Sequence, residues 1–79
     1  MEKINITPNQ CKSARNLLEW KQTDLVKKSG IGITTIAEFE RGVRDLADRT
    51  MKELVRTFKD AGIEFINDKK SEGVKLNKK

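Results

Sequence analysis

The 79-residue sequence contains no histidine, a single cysteine and few aromatic residues (5%). Without histidine the usual imidazole general base is missing and no Ser-His-Asp arrangement can form. Cys11 stands alone, so no intrachain disulfide is possible. A structural zinc site, which draws on several thiolate or imidazole ligands, lacks them as well. Cys11 also lacks a histidine partner, so it reads as a small core side chain before it reads as a nucleophile. No glycine pattern of a phosphate-binding loop is present. Together these absences set an enzymatic role aside, and no cofactor or metal is expected. No apolar run approaches the ~20 residues that a membrane span needs. The N-terminus lacks the hydrophobic stretch of a secretory leader. The expected setting is therefore the reduced cytoplasm, away from any membrane.

What the sequence does have is charge: 37% of residues are charged and the net charge is +5. A chain this short buries roughly 60% of its unfolded surface, which leaves no mass for a deep enclosed pocket. Few aromatics and many charges suit a helical bundle better than a β-sandwich. The excess charge is unevenly placed. Residues 12–44 carry seven basic and four acidic side chains, and residues 69–79 five lysines and Glu72, whereas residues 45–68 are net acidic. A basic middle segment points to a polyanionic partner, while the basic tail is equally well read as a solubilising end.

Periodicity places the helices. Thr7-Pro8 is a helix start, with Thr as cap and Pro at the first helical position. Cys11, Ala14, Leu17 and Leu18 then mark one helical face, so a first helix is expected from Pro8 to Leu18 or Glu19. Trp20 is expected as an anchor between helices. A second helix opens near Gln22, carries Leu25 and Val26, and stops at Ser29-Gly30, where glycine accepts a left-handed backbone. Ile31 is one apolar residue between two breakers. Gly32 precedes a third helix from Ile33 to Glu40, with Ile36 and Phe39 on its inner face, and Gly42 ends it. A loop covers Val43 to Ala47, and Asp45 or Asp48 is expected to cap the next helix. Met51, Leu54, Val55 and Phe58 follow at helical spacing up to Gly62. The period then changes: Ile63–Ile66 and Val74–Leu76 read as two short strands flanking the polar stretch Asn67 to Gly73. The last residues, Asn77-Lys78-Lys79, read as a frayed end. Phe65 and Ile66 cannot both face one core across a strand, so one of them is expected outside, as a dimer contact or in simple packing on the fourth helix.

The informative unit is Gln22 to Arg41. Two helices of about eight residues, joined by a turn that holds only Ile31, must cross steeply with Leu25, Val26, Ile31, Ile36 and Phe39 in the wedge. The second helix of the pair then projects its outer face and its positive N-terminal end, and it fits a major groove ~12 Å wide.

Gln22, Leu25, Gly30-Ile31, Ile36, Phe39, Glu40 and Gly42, with Arg15 seven residues before Gln22, together resemble the phage-repressor or xenobiotic-response-element family of helix-turn-helix proteins. The stretch from Ala61 to Leu76 is similar to short members that end in a β-hairpin. The resemblance covers about residues 7–61. It implies a mainly α fold: a four-helix (or five-helix) repressor-like domain with a short C-terminal β-hairpin. Residues 1–61 would form the DNA-binding part. Residues 62–79 would add the hairpin and basic tail to the same domain, with a dimer contact there. The resemblance further implies that Lys21 and Gln22 touch a phosphate. Ile33, Thr34, Thr35, Ala37 and Glu38 would face base edges or phosphates, and Arg41 and Arg44 would grip the flanking backbone. Arg15 and Glu40 would pair beneath that surface; two solvated charges are the plainer reading. Lys21 stands where the family often has a Ser or Thr cap, and Val26 where alanine is common.

The expected function is a repressor-type transcriptional regulator that binds double-stranded DNA as a homodimer. The alternative is an antitoxin-like or adaptor module that uses the same fold to bind a protein partner. The reading face is poor in long donors: Ile33 and Ala37 suit a thymine methyl, and Glu38 accepts from cytosine N4. Modest specificity or tolerance of A·T pairs follows.

Overall fold

A computed structural model describes residues 5–67 and 72–77 of the chain. Of the frayed end expected at Asn77-Lys78-Lys79, Lys78 and Lys79 lie outside those residues, as does the centre of the polar hairpin loop; Asn77 is not frayed, since its N–H donates to the Gly62 carbonyl at 2.8 Å. Four helices and a two-stranded antiparallel hairpin follow one another: α1 (Pro8–Leu17), α2 (Gln22–Ser29), α3 (Ile33–Glu40), α4 (Asp48–Asp60), β1 (Ile63–Asn67) and β2 (Glu72–Leu76). Of the two helix counts expected, four is the number found among the described residues.

Helix α1 starts at a reciprocal cap. The Gln10 backbone N–H donates to Thr7 Oγ1 at 3.1 Å, and the Thr7 N–H donates to Gln10 Oε1 at 3.0 Å. These bonds satisfy amide groups that a helix start otherwise leaves open. The other end of the Gln10 side chain reaches the hairpin: Nε2 donates to the carbonyls of Ile66 (3.3 Å) and Gly73 (3.1 Å). One buried amide therefore ties the first helix to the last element of the chain.

Helix α1 stops at Leu17, one residue short of the expected end at Leu18 or Glu19, with Leu18 as its C-cap. Glu19 adopts a left-handed backbone (φ 58). This lets the Trp20 N–H return to the Arg15 carbonyl at 2.9 Å and the Glu19 N–H to the Asn16 carbonyl at 3.1 Å. That is a Schellman stop with glutamate where glycine is usual.

The core gathers Ile6, Cys11, Ala14, Leu25, Ile36, Phe39, Leu54, Val55, Phe58 and Ile63. Phe58 of α4 is at its centre. Trp20 stacks on it with ring centroids 6.0 Å apart, and Phe65 meets it edge-on at 5.9 Å. Fully burying a side chain of this size stabilises by about 1.5–3 kcal/mol.

Neither Asp45 nor Asp48 caps α4. Ala47 occupies the cap position and makes no side-chain bond there. Asp48 enters the first turn instead, where a carboxylate still faces the positive end of the helix dipole. The charge benefit survives without the capping geometry.

The strands pair in the register Ile63↔Leu76, Phe65↔Val74 and Ile66↔Gly73. Both are longer than expected, by Asn67 on the first and by Glu72 and Gly73 on the second. Alternation turns Ile63, Phe65, Val74 and Leu76 toward the helices. Ile66 points the other way and is 42% exposed. Strand β2 lies against α1 and β1 against α4, so the hairpin closes the bundle on the side away from α2 and α3.

Candidate nucleic-acid interface

The elbow between α2 and α3 is Ser29 to Gly32. Gly30 has φ 76, a conformation that disfavours other side chains, and its N–H bonds to the Val26 carbonyl at 2.9 Å. Ser29 marks the end of α2 in sequence, and in the fold its hydroxyl also organises the turn. Oγ donates to the Leu25 carbonyl (2.7 Å) and accepts from the Ile31 N–H (3.1 Å). Ile31 is thereby turned into the core. Gly32 opens α3 and offers no side chain to cap its first amides.

Lys21 precedes α2 in the cap position. An ammonium cannot accept a hydrogen bond, so the capping comes from the other direction: Asp24 Oδ2 accepts from the Lys21 backbone N–H at 2.9 Å. Half a capping box replaces the Ser or Thr cap.

Helix α3 has two contrasting faces. Ile36, Phe39 and Glu40 are buried, whereas Ile33 (45% exposed) and Thr34 lie outside, with Thr35, Ala37 and Glu38 half-buried beside them. A Schellman turn at Gly42 (φ 78) ends the helix, with Val43 N–H on the Glu38 carbonyl and Gly42 N–H on the Phe39 carbonyl. This turn folds the chain back so that Arg44 lies along the last turns of α3. Arg44 Nε is 3.2 Å from Glu38 Oε1, and its Nη1 donates to Thr35 Oγ1 at 3.1 Å. Arg41 is exposed and makes no ion pair among the described residues.

Beneath α3 lies a charged cluster that fixes its orientation. Arg15 holds Glu40 in a bidentate pair, Nε to Oε2 and Nη2 to Oε1, both at 2.7 Å. Its third nitrogen, Nη1, donates to the Trp20 carbonyl at 3.1 Å. Glu40 also accepts from Gln22 Nε2 and from the Cys11 thiol, each at 3.1 Å. One carboxylate therefore joins α1, α2 and α3. Burial pushes the Glu40 carboxyl up, but hydrogen bonds from Arg15, Gln22 and Cys11, with the charge of Arg15, outweigh it and hold the group below the usual range. Burial and the Glu40 charge push the Cys11 thiol far up, so it stays protonated. The hydrogen bond to Glu40 raises Arg15 against the opposing effect of its own burial.

The sequence-derived residues thus divide. Ile33, Thr34, Thr35, Ala37, Glu38, Arg41 and Arg44 come together on or beside the outer face of α3. Lys21 is exposed at the start of α2. Gln22 is half-buried and commits one amide N–H to Glu40, so it positions α2 against α3. The roles of Cys11 and Ser29 were not legible in sequence, because neither spacing nor charge marks a hydrogen bond that only the folded turn creates.

A helix locked at its inner face, open at its outer face and entered through a glycine elbow is the architecture of a helix-turn-helix module. Residues 12–61 match the family described as Helix-turn-helix, of the phage-repressor and xenobiotic-response-element type, and the chain belongs to that family. In general terms it is a DNA-binding transcription regulator. No curated protein matches the chain. No helix among the described residues is long and apolar enough to cross a membrane.

Proposed function

We propose that the chain is a repressor-type regulator that docks α3 in the major groove of duplex DNA as a homodimer in the cytoplasm. The whole chain acts as one domain, with residues 62–79 appended to the helix-turn-helix part. The observation that carries the reading is the outward face of α3. Ile33 and Thr34 are exposed, with Ala37 and Glu38 half-buried beside them, while the Arg15–Glu40 cluster prevents the helix from rolling. Lys21 and Arg41 are exposed at the starts of α2 and of the turn after α3, where cations meet phosphates flanking the groove. Phosphate contacts would supply affinity and the groove contacts sequence preference. Helix α3 itself holds no arginine for a bidentate guanine contact, and Arg44 beside it is engaged with Glu38 and Thr35. The preference is accordingly modest and tolerant of A·T pairs. Two copies reading half-sites one helical turn apart, ~34 Å, would recognise a pseudo-palindrome. The exposed Ile66 on the outer face of the hairpin supports a contact between copies there.

A salt titration of binding to duplex DNA tests the reading. Log K is expected to fall linearly with log salt, by about 0.9 per phosphate neutralised. Binding that ignores salt, or its absence at low salt, would favour the adaptor function with a protein partner. Selection from random duplexes is expected to return an A·T-containing, weakly informative site; a sharp guanine-rich motif under α3 would contradict the specificity assigned.

A further inference from the structure

We propose that Glu38 is a specificity-determining residue that acts through Arg44. It withholds that guanidinium from the DNA backbone and releases it where a base edge carrying an exocyclic amine takes over the carboxylate. The inference rests on the reading that α3 enters the major groove.

The turn at Gly42 brings Arg44 back over α3, where it meets Glu38 Oε1 at 3.2 Å and Thr35 Oγ1 at 3.1 Å. Both partners belong to the face that would meet the bases. Arg41, three residues beyond Glu38, is exposed and makes no ion pair among the described residues. The end of α3 therefore carries one engaged guanidinium and one open to solvent. On DNA contacted only through its backbone, Arg41 neutralises a phosphate while Arg44 stays with Glu38. If Arg44 left, the carboxylate would face the acceptor atoms of guanine or thymine without a partner. Cytosine N4 and adenine N6 are donors in the major groove. Either replaces the guanidinium on Glu38, and Arg44 then turns to a phosphate. One base edge thus controls two contacts, which gives a face without long donors more discrimination than its own hydrogen bonds supply.

The test is a cycle of four full-length proteins: wild type, Glu38→Gln, Arg44→Gln and the double variant. Each is titrated with a random-sequence duplex over a salt series. Both positions are exposed enough for the variants to fold, which a thermal melt checks. In Glu38→Gln the salt slope is expected to steepen by about 0.9, with binding on the order of tenfold tighter at low salt. In the Arg44→Gln background the same substitution is expected to leave the slope unchanged. Equal tightening in both backgrounds would reduce Glu38 to a general negative charge and overturn the proposal. In a selection from random duplexes, wild type is expected to enrich cytosine or adenine at one position of the contacted strand, and Glu38→Ala, whose side chain cannot read adenine as glutamine can, to lose that position alone. An unchanged motif would also overturn it. A wild type that fails to bind duplex DNA at all overturns the groove reading itself, an outcome distinct from binding that lacks the Glu38–Arg44 coupling.

Discussion

Glu38 and Glu40 lie two residues apart on α3, and each meets an arginine, but on opposite faces. The Arg15–Glu40 pair is bidentate, with side chains 15% and 3% exposed, and its carboxylate has two further donors. The Glu38–Arg44 contact is 3.2 Å long, with side chains 48% and 36% exposed for arginine and glutamate. The inner pair has left water and must be fully satisfied to be tolerated. The outer pair keeps its water, so its partners can be exchanged at little cost. The same two functional groups thus hold the helix on one side and leave it adjustable on the other.

The comparison breaks most readily at Glu40. Glu40→Ala leaves the Arg15 guanidinium without its partner and is expected to lose about 3–5 kcal/mol of stability in urea or thermal unfolding. A loss under 1 kcal/mol would make the inner pair equivalent to the outer one.

Acid should find the same site. The folded Glu40 carboxyl sits below its ordinary value of 4.5. Its contribution is complete above that value and is lost as pH falls through the lower, folded one. Wild-type stability is therefore expected to drop as pH falls below 4.5. Glu40→Gln should be less stable at neutral pH and show a shallower acid slope, measured by urea unfolding at a series of pH values.

A smaller effect is expected at Glu19, whose left-handed backbone presents the Trp20 carbonyl to Arg15. A non-glycine residue pays roughly 1–2 kcal/mol for that conformation. Glycine returns part of any gain through its freer unfolded chain. Glu19→Gly is expected to raise stability by about 0.5–1 kcal/mol, seen as a higher Tm. The smallest change belongs to Glu38→Gln, at ~0–1 kcal/mol. A larger loss would mean that the outer pair is structural and unable to exchange partners.

Much of the fold was legible because burial imposes periodicity. Cys11, Ala14 and Leu18, or Met51, Leu54, Val55 and Phe58, mark their faces without help from the rest of the chain, whereas Leu17, expected on the first of these faces, is 43% exposed. The elbow was legible through Gly30 and the end of α3 through Gly42, since few other residues accept those backbones. The cap of α4 was misplaced because aspartate is favoured both at the cap and in the first turn, and composition alone does not separate the two. The reach of Gln10 to a hairpin more than fifty residues away follows no local rule. Nor does the Glu38–Arg44 contact, which depends on the Gly42 turn folding the chain back. Lys21 gave half a signal: the missing acceptor was evident, but its replacement by Asp24 depended on a backbone geometry that residue types do not specify.

The chain also carries a built-in reporter. Cys11 is its single thiol, has no exposed surface, and donates a hydrogen bond to Glu40. A thiolate-seeking reagent meets neither an accessible sulfur nor a deprotonated one while the helices stay assembled. Alkylation of the unmodified protein therefore counts openings of the α1–α3 seam, without any label having to be engineered in.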